Sequence, residues 1–176
     1  VLRPAGQHAD PEVRATVART GALADGTCAL LEDPWPLVRR AAARGLPGGA
    51  PCLAAAVTAK DTKLALAAIA RAGRSGRADL RRPRRTVAGD ARGAMPLRIE
   101  AVIALGRLGD LEPAERILKT HHAKGGIVPL ADAAVRALAA DGSPKGLPLL
   151  RQALSAPAAK VQVIAAEALG VPLPPT

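Results

Sequence analysis

Residues 97–109, LRIEAVIALGRLG, carry the pattern that the rest of the chain repeats. Apolar residues recur three and four positions apart, no proline interrupts the stretch, and glycine follows where a helix would end. This spacing predicts an amphipathic helix that begins near Leu97 and has Val102 and Leu105 on its buried side.

The same pattern occurs five more times along the chain. Two copies are close to the first, at residues 130–139 (LADAAVRALA) and 161–170 (VQVIAAEALG). Three weaker copies precede it, at residues 13–21 (VRATVARTG), 38–45 (VRRAAARG) and 64–73 (LALAAIARAG). Their starts lie 25, 26, 33, 33 and 31 residues apart, a period typical of stacked helical repeats. One such helix cannot bury its own apolar face, whereas neighbouring copies can cover one another.

The segments that lead into the first two copies resemble a known repeat. Residues 10–14 (DPEVR) and 33–39 (DPWPLVR), followed by alanine-rich helices that end in glycine, are similar to HEAT repeats of the short bacterial, bilin-lyase-like type. The resemblance extends over nearly the whole chain, although only these two copies keep the Asp-Pro lead-in. It implies an all-α, right-handed superhelix, or solenoid, of about six helical hairpin repeats in one domain spanning residues 1–176. It also implies a ladder of Asp and Arg contacts between neighbouring repeats.

Each repeat is expected to contain an inner helix, which carries the repeated pattern, and a shorter outer helix. The inner helices are predicted to begin near Val13, Val38, Leu64, Leu97, Leu130 and Val161. Outer helices are predicted at residues 26–32, 50–59, 112–122 and 143–154. The predicted continuous core includes Val102, Leu105, Val135, Leu138, Ile164, Ala168 and Leu169.

Composition also favours helices over sheets. Of the 176 residues 49% are hydrophobic, with one Trp and no Phe or Tyr, so Ala, Leu, Val and Ile provide nearly all the apolar side chains. Alanine has the highest helix propensity, whereas strands favour β-branched and aromatic residues. No apolar run approaches the ~18 residues of a membrane-spanning helix, so we expect no transmembrane segment. The chain begins at Val1 without a Met or a recognisable leader, so either a leader has been removed or the chain is a piece of a longer protein, and we expect a cytoplasmic location.

The two cysteines occupy equivalent places in successive repeats. Cys28 lies seven residues after Gly21, and Cys52 lies seven residues after Gly45. A disulfide needs Cα atoms within ~7 Å of each other, whereas the axes of packed helices lie ~8–10 Å apart. We therefore expect two buried thiols, with a disulfide as the alternative.

Arginine is concentrated between residues 71 and 92. This segment contains eight arginines against Asp79 and Asp90, and so contributes +6 of the net charge of +10. Pro83 is expected to break the outer helix of this repeat. We therefore predict an irregular basic repeat at about residues 74–94, since binding loops are often found in such irregular repeats. Residues 171–176 contain three prolines and are predicted to form a tail without helix.

A second group of arginines recurs near the ends of the inner helices. If these helices stack in register, the arginines form a basic row that is interrupted by Ala70 and Ile103 and ends at Glu167. Such a row would attract anionic partners, although a solvated face in an arginine-rich chain is an equally good interpretation. The candidate partner-binding residues from the row and the basic segment are Arg19, Arg40, Arg44, Arg71, Arg81, Arg82, Arg84, Arg85, Arg107 and Arg136.

The sequence lacks the motifs of common enzyme classes. It contains no GxSxG elbow, no phosphate-binding glycine-rich loop and no HExxH pair. No histidine is followed by Glu, so the iron-binding His-Glu pairs of hydroxylases with a HEAT-like fold are also missing. The adjacent His121 and His122 would point about 100° apart on a helix and chelate a metal poorly. We therefore expect no enzymatic activity, no metal and no cofactor.

Two binding functions remain as hypotheses. The first is a protein–protein interaction scaffold or adaptor, whose basic solenoid surface holds an acidic partner or a larger complex. The second is sequence-nonspecific nucleic-acid binding through residues 71–92. Recognition of single-stranded bases normally uses several aromatic side chains, and this chain has only Trp35, which we expect to pack over a turn. The scaffold is therefore the preferred hypothesis, and the oligomeric state stays open.

Overall fold

The structure is a computed structural model that describes residues 5–23, 26–124 and 126–173. These residues contain no strand, 72% of them are helical, and the predicted all-α class is confirmed. In chain order the α-helices are α1 (Pro11–Thr20), α2 (Gly26–Ala29), α3 (Pro36–Gly45), α4 (Leu53–Val57), α5 (Thr62–Arg74), α6 (Arg81–Gly89), α7 (Met95–Gly106), α8 (Glu112–Lys124), α9 (Val128–Asp141), α10 (Leu147–Ala153) and α11 (Ala159–Leu169). Short 3₁₀ turns occur at Leu30–Glu32, Ala78–Leu80 and Pro144–Gly146.

The six helices that carry the repeated pattern, predicted as the inner helices, are α1, α3, α5, α7, α9 and α11, and each begins two residues before the first residue of its repeat. The extra residues form the first helical turn, where prolines and N-capping side chains are favourable. Asp10, for example, accepts a hydrogen bond from the backbone N–H of Glu12 at 2.8 Å. Asp61 accepts from the backbone N–H groups of Lys63 and Leu64 at 3.0 and 3.1 Å.

The contacts divide the chain into two compact units, Val1–Pro83 and Arg84–Thr176. In the first unit α1 packs on α3, α3 packs on α5, and the short α4 lies against α5. The largest buried apolar side chains of this unit are Val38, Leu46, Leu53, Val57, Ile69 and Leu80.

In the second unit α9 is the central helix, since it packs on α7, α8, α10 and α11. Five predicted core residues are buried, at 8% exposure or less: Val102, Leu105, Val135, Leu138 and Ile164. The prediction was wrong for Ala168, which is exposed, and for Leu169, which is half-buried. Both lie in the last turn of α11, where the helix is incompletely covered by the rest of the unit. Residues 171–173 form no helix, and the rest of the predicted tail lies outside the described residues.

The predicted break at Pro83 does not occur, because α6 runs through it. Pro83 is the third residue of α6. In the first turn of a helix the backbone N–H groups have no intrahelical acceptor, so a proline removes no hydrogen bond there. The basic segment therefore contains a regular helix between residues 81 and 89.

The expectation of two thiols was also wrong, because Cys28 and Cys52 form a disulfide with a Cα–Cα distance of 5.8 Å. Cys28 lies in the four-residue α2, and Cys52 directly precedes α4. Each Cα lies ~2.3 Å from its helix axis, so Cα atoms on facing sides of two helices are several ångströms closer than the axes. The axis separation used in the prediction therefore overstated the distance.

Within the described ranges, no helix combines the length and the apolar character needed to cross a bilayer.

Candidate functional site

In the first unit, Arg19 and Arg44 lie at the C-terminal ends of α1 and α3. Both side chains are exposed, and neither forms an ion pair with a described residue. The two helix ends are in close backbone contact, since a Cβ built at Gly45 would lie 1.9 Å from the carbonyl oxygen of Ala18. This contact brings together the two helix ends that carry these arginines.

Arg40 and Arg71, in contrast, take part in contacts within the unit. Arg40 is half-buried, and its Nε lies 4.0 Å from Oδ1 of Asp61. Arg71 is also half-buried and donates from Nε to the carbonyl oxygen of Leu46 at 2.5 Å. These two arginines link α3 and α5, so they are less available to a partner than Arg19 and Arg44.

The second unit repeats the close approach of helix ends at Gly106. A Cβ at this residue would lie 2.3 Å from the carbonyl oxygen of Ala137, so α7 and α9 touch through their backbones. Arg107 and Arg136 flank the contact and line a groove of about 550 Å³ along the ends of α7, α9 and α11. Ile103 and Glu167, predicted to interrupt and end the basic row, line the same groove.

The two arginines of this groove differ in their partners. Arg136 is held by its own helix, since its Nε lies 2.5 Å from Oδ1 of Asp132. Lys160 binds the other oxygen of Asp132 at 2.9 Å. Burial raises the pKa of Asp132, but the hydrogen bonds from Lys160 and Arg136 outweigh it and leave the pKa below its usual range. Arg107 is exposed and makes no ion pair with a described residue.

The four arginines of α6, in the basic segment, do not share one face of the helix. Arg81, Arg82 and Arg85 are exposed, whereas Arg84 is completely buried. Neighbouring residues on a helix point about 100° apart, and Arg84 lies on the inward side with Ala88, one turn later. The inclusion of Arg84 among surface contacts was therefore wrong.

Arg85 is already engaged by two carboxylates. It donates to both oxygens of Asp110 at 2.6 Å, and its Nη1 lies 2.7 Å from Oε2 of Glu112. These interactions raise the pKa of Arg85, first through the hydrogen bond to Asp110. Arg85 consequently stabilises the second unit, and a phosphate would have to compete with these carboxylates.

Contacts of the type implied by the HEAT resemblance occur in the first unit. Arg14 of α1 donates to both oxygens of Asp33 at 2.8 and 3.1 Å. The next inner helix repeats the arrangement, since Arg39 of α3 donates to Asp61 at 3.4 Å. The hydrogen bond from Arg14 holds the pKa of Asp33 below its usual range. In both cases an arginine of one inner helix holds the lead-in aspartate of the next.

A second cavity was not foreseen from the sequence. It has a volume of about 690 Å³ and lies between α6, α7, α8 and the start of α9. Arg98 and Arg116 line it together with Arg85. Neither Arg98 nor Arg116 was predicted as a binding residue, because Arg98 occupies the second position of its repeat, as Arg14 and Arg39 do, and Arg116 is a lone arginine in an amphipathic helix.

Trp35 and His121 differ in burial. Trp35 is 56% exposed, so more than half of its side chain faces solvent, and its packing over the turn stays a prediction. His121 is buried in α8, with Nδ1 3.0 Å from the carbonyl oxygen of Gly126. Within the described part of the chain, no group of three or more His, Cys, Asp or Glu side chains is arranged to hold a metal ion.

Comparison with known proteins does not assign the chain to a family. No protein-family model matches the sequence, and no curated protein matches it significantly.

Proposed function

We propose that the chain is a non-catalytic scaffold or adaptor that holds an acidic protein partner. The proposal rests on a set of exposed arginines that have no carboxylate partner among the described residues. They lie where the C-terminal ends of neighbouring inner helices are in backbone contact. In the first unit these are Arg19 and Arg44, and in the second unit Arg107. The proposed architecture is a HEAT-like solenoid, supported by the sequential packing of inner helices within each unit.

The chemistry of these helix ends favours an anionic partner. Cations are stabilised at helix C-termini, which explains why arginines are tolerated at the C-terminal ends of two helices in contact. An incoming carboxylate would add charge-assisted hydrogen bonds, and the net charge of +10 would attract it over longer distances. Arginines that are not neutralised within the protein are the ones that gain most from such a partner.

The geometry of α6 weighs against nucleic acid as the partner. Arg84 is buried and Arg85 is bound to Asp110 and Glu112, so the basic segment offers fewer phosphate contacts than its sequence suggests. Arg81 and Arg82 stay exposed, and nucleic-acid binding is therefore retained as an outcome of the test.

The decisive experiment is a pull-down from the source cells with the full chain, with and without nuclease. The test variant carries Arg19→Ser, Arg44→Ser and Arg107→Ser. The control variant removes the same charge elsewhere, through Arg92→Ser, Lys145→Ser and Arg151→Ser, all exposed residues without an ion pair to a described residue.

The scaffold predicts one stoichiometric acidic protein that survives nuclease, is retained by the control variant and is lost from the test variant. Equal retention by both variants would place the interface elsewhere and overturn the proposal. Recovery of nuclease-sensitive material alone, with binding that falls steeply as salt rises, would favour the nucleic-acid function.

We further infer that the protein works in an oxidising compartment rather than in the cytoplasm. Disulfides persist outside the cytosol and are rare within it, and Cys28–Cys52 is a disulfide here. The test is alkylation of the protein immediately on extraction from its source cells, followed by mass measurement. An unmodified mass supports the inference, whereas alkylation of both thiols would restore the cytoplasmic expectation.

A further inference from the structure

The cavity of about 690 Å³ in the second unit is separate from the arginine surface proposed above. Its volume lies within the ~300–1,000 Å³ range of small-molecule sites. Its lining includes both guanidinium groups and aliphatic side chains. Both kinds of surface face a single cavity built from α6, α7, α8 and the start of α9.

Two guanidinium groups converge on the C-terminal end of α6. Arg98 of α7 donates from Nε to the carbonyl oxygen of Ala88 at 3.5 Å. Arg116 of α8 approaches the same helix end, where its Nη2 would lie 4.0 Å from a Cβ built at Gly89. The two cations thus lie near consecutive residues of one helix end.

The carboxylates around the cavity do not balance these cations. Arg85 binds both Asp110 and Glu112, and Glu112 also contacts Arg116, over a longer distance of 3.5 Å. Arg98 has no ion pair with a described residue, although it is half-buried. Three guanidiniums against two carboxylates leave one net positive charge, and a partly desolvated cation gains strongly from an anion.

Part of the cavity lining is apolar. Ile117, Ile127 and Leu130 line it, and Ile127 is 49% exposed. An exposed isoleucine beside a cavity gains free energy when an aliphatic ligand covers it.

We propose that this cavity binds a small amphipathic anion. A carboxylate or phosphate group binds Arg98 and Arg116, and an aliphatic body lies on Ile117, Ile127 and Leu130. The ligand class is therefore an organic acid or phosphate monoester with a compact aliphatic portion. A bare inorganic anion would contact only the arginines, and an uncharged aliphatic compound would contact only the apolar side chains.

The test is calorimetric titration of the full chain with octanoate, octyl phosphate, octanol and inorganic phosphate. Octanoate and octyl phosphate are expected to bind saturably, at least tenfold more tightly than either octanol or inorganic phosphate, because charged hydrogen bonds add to aliphatic burial. The relative affinities of octanoate and octyl phosphate identify which head group the site prefers.

Three variants assign the binding to this cavity. Arg98→Gln with Arg116→Gln should weaken octanoate at least tenfold and leave octanol unchanged, whereas Arg92→Gln with Arg151→Gln removes the same charge elsewhere and should change neither. Ile127→Ser should weaken octanoate and octanol alike. If the double variant at the cavity misfolds, Arg116→Gln alone replaces it, since the Arg116 side chain is 61% exposed.

Several outcomes would overturn the proposal. Equal affinity for octanol and octanoate would mean that the arginines contribute nothing. Equal affinity for inorganic and octyl phosphate would mean an adventitious anion only. Absence of saturable binding, or equal losses in the cavity and control variants, would likewise reject the site.

Discussion

At residue 106 the lack of a side chain matters more than the backbone freedom of glycine. Gly106 is the last residue of α7, and alanine there would gain about 1 kcal/mol of helix propensity. A Cβ, however, would lie 2.3 Å from the carbonyl oxygen of Ala137. We predict that Gly106→Ala lowers the free energy of unfolding by about 1–3 kcal/mol, as overpacking does.

Urea denaturation of purified variants measures the effect. Gly49→Ala is the matched control, because nothing lies within 4 Å of a Cβ at Gly49. A Gly106→Ala variant as stable as the wild type would show that α7 and α9 are not in close backbone contact.

Leu105 tests the core of the second unit. Its side chain is 0% exposed, so truncation removes buried methyl groups and leaves a cavity. We expect Leu105→Ala to cost about 2–5 kcal/mol of stability by chemical denaturation. Leu173, which is 52% exposed, provides the control, and Leu173→Ala should change stability by less than about 0.5 kcal/mol. Similar losses at the two positions would contradict the packing of α7.

Asp33 links stability to pH. The hydrogen bond from Arg14 holds the pKa of Asp33 below its usual value of about 3.9, so the folded state binds this proton less readily than the unfolded chain. Its contribution to stability is therefore present above about pH 4 and is lost as the pH falls through the lowered pKa. We predict that Asp33→Asn is less stable than the wild type at neutral pH and that the difference shrinks on acidification. Melting temperatures between about pH 7 and pH 2 measure this, and parallel curves would contradict it.

At the scale of elements, the disulfide joins two short helical segments that are weak on their own. α2 and α4 have four and five residues, too few to be stable as isolated helices. Cys28 and Cys52 are 24 residues apart in sequence, and closing a loop of this length stabilises a fold by about 2–4 kcal/mol. We predict a loss of this size for Cys28→Ser with Cys52→Ser.

The measurement is denaturation of the double variant beside wild-type protein with and without reductant. Reductant should bring the wild type to the stability of the variant and leave the variant unchanged. A wild type that does not respond to reductant would contradict a stabilising disulfide.

For the whole molecule, the prediction concerns secondary structure. Far-ultraviolet circular dichroism should show the double minimum of a helical protein, at an intensity compatible with helix in 72% of the described residues. The reason is that inner helices with period 3.6 supply the buried faces of both units, and each of them is present. A spectrum with substantial sheet would contradict both the fold and the proposed scaffold.

The sequence by itself determined the helices. Their positions follow from apolar residues three and four apart and from local caps such as Asp10, which involve only neighbours along the chain. The class, the six inner helices and most of the core of the second unit could therefore be predicted. Each helix begins two residues before its repeat, because capping residues and prolines add a first turn.

Only the tertiary structure decided which side chains meet. The burial of Arg84, the disulfide between Cys28 and Cys52, and the cavity between Arg98 and Arg116 all depend on which helix faces approach each other. Local periodicity identifies an apolar face but does not give the distance or rotation at which it packs. Gly106 looks like a simple helix stop in sequence, and its closeness to Ala137 exists only because another helix lies against it.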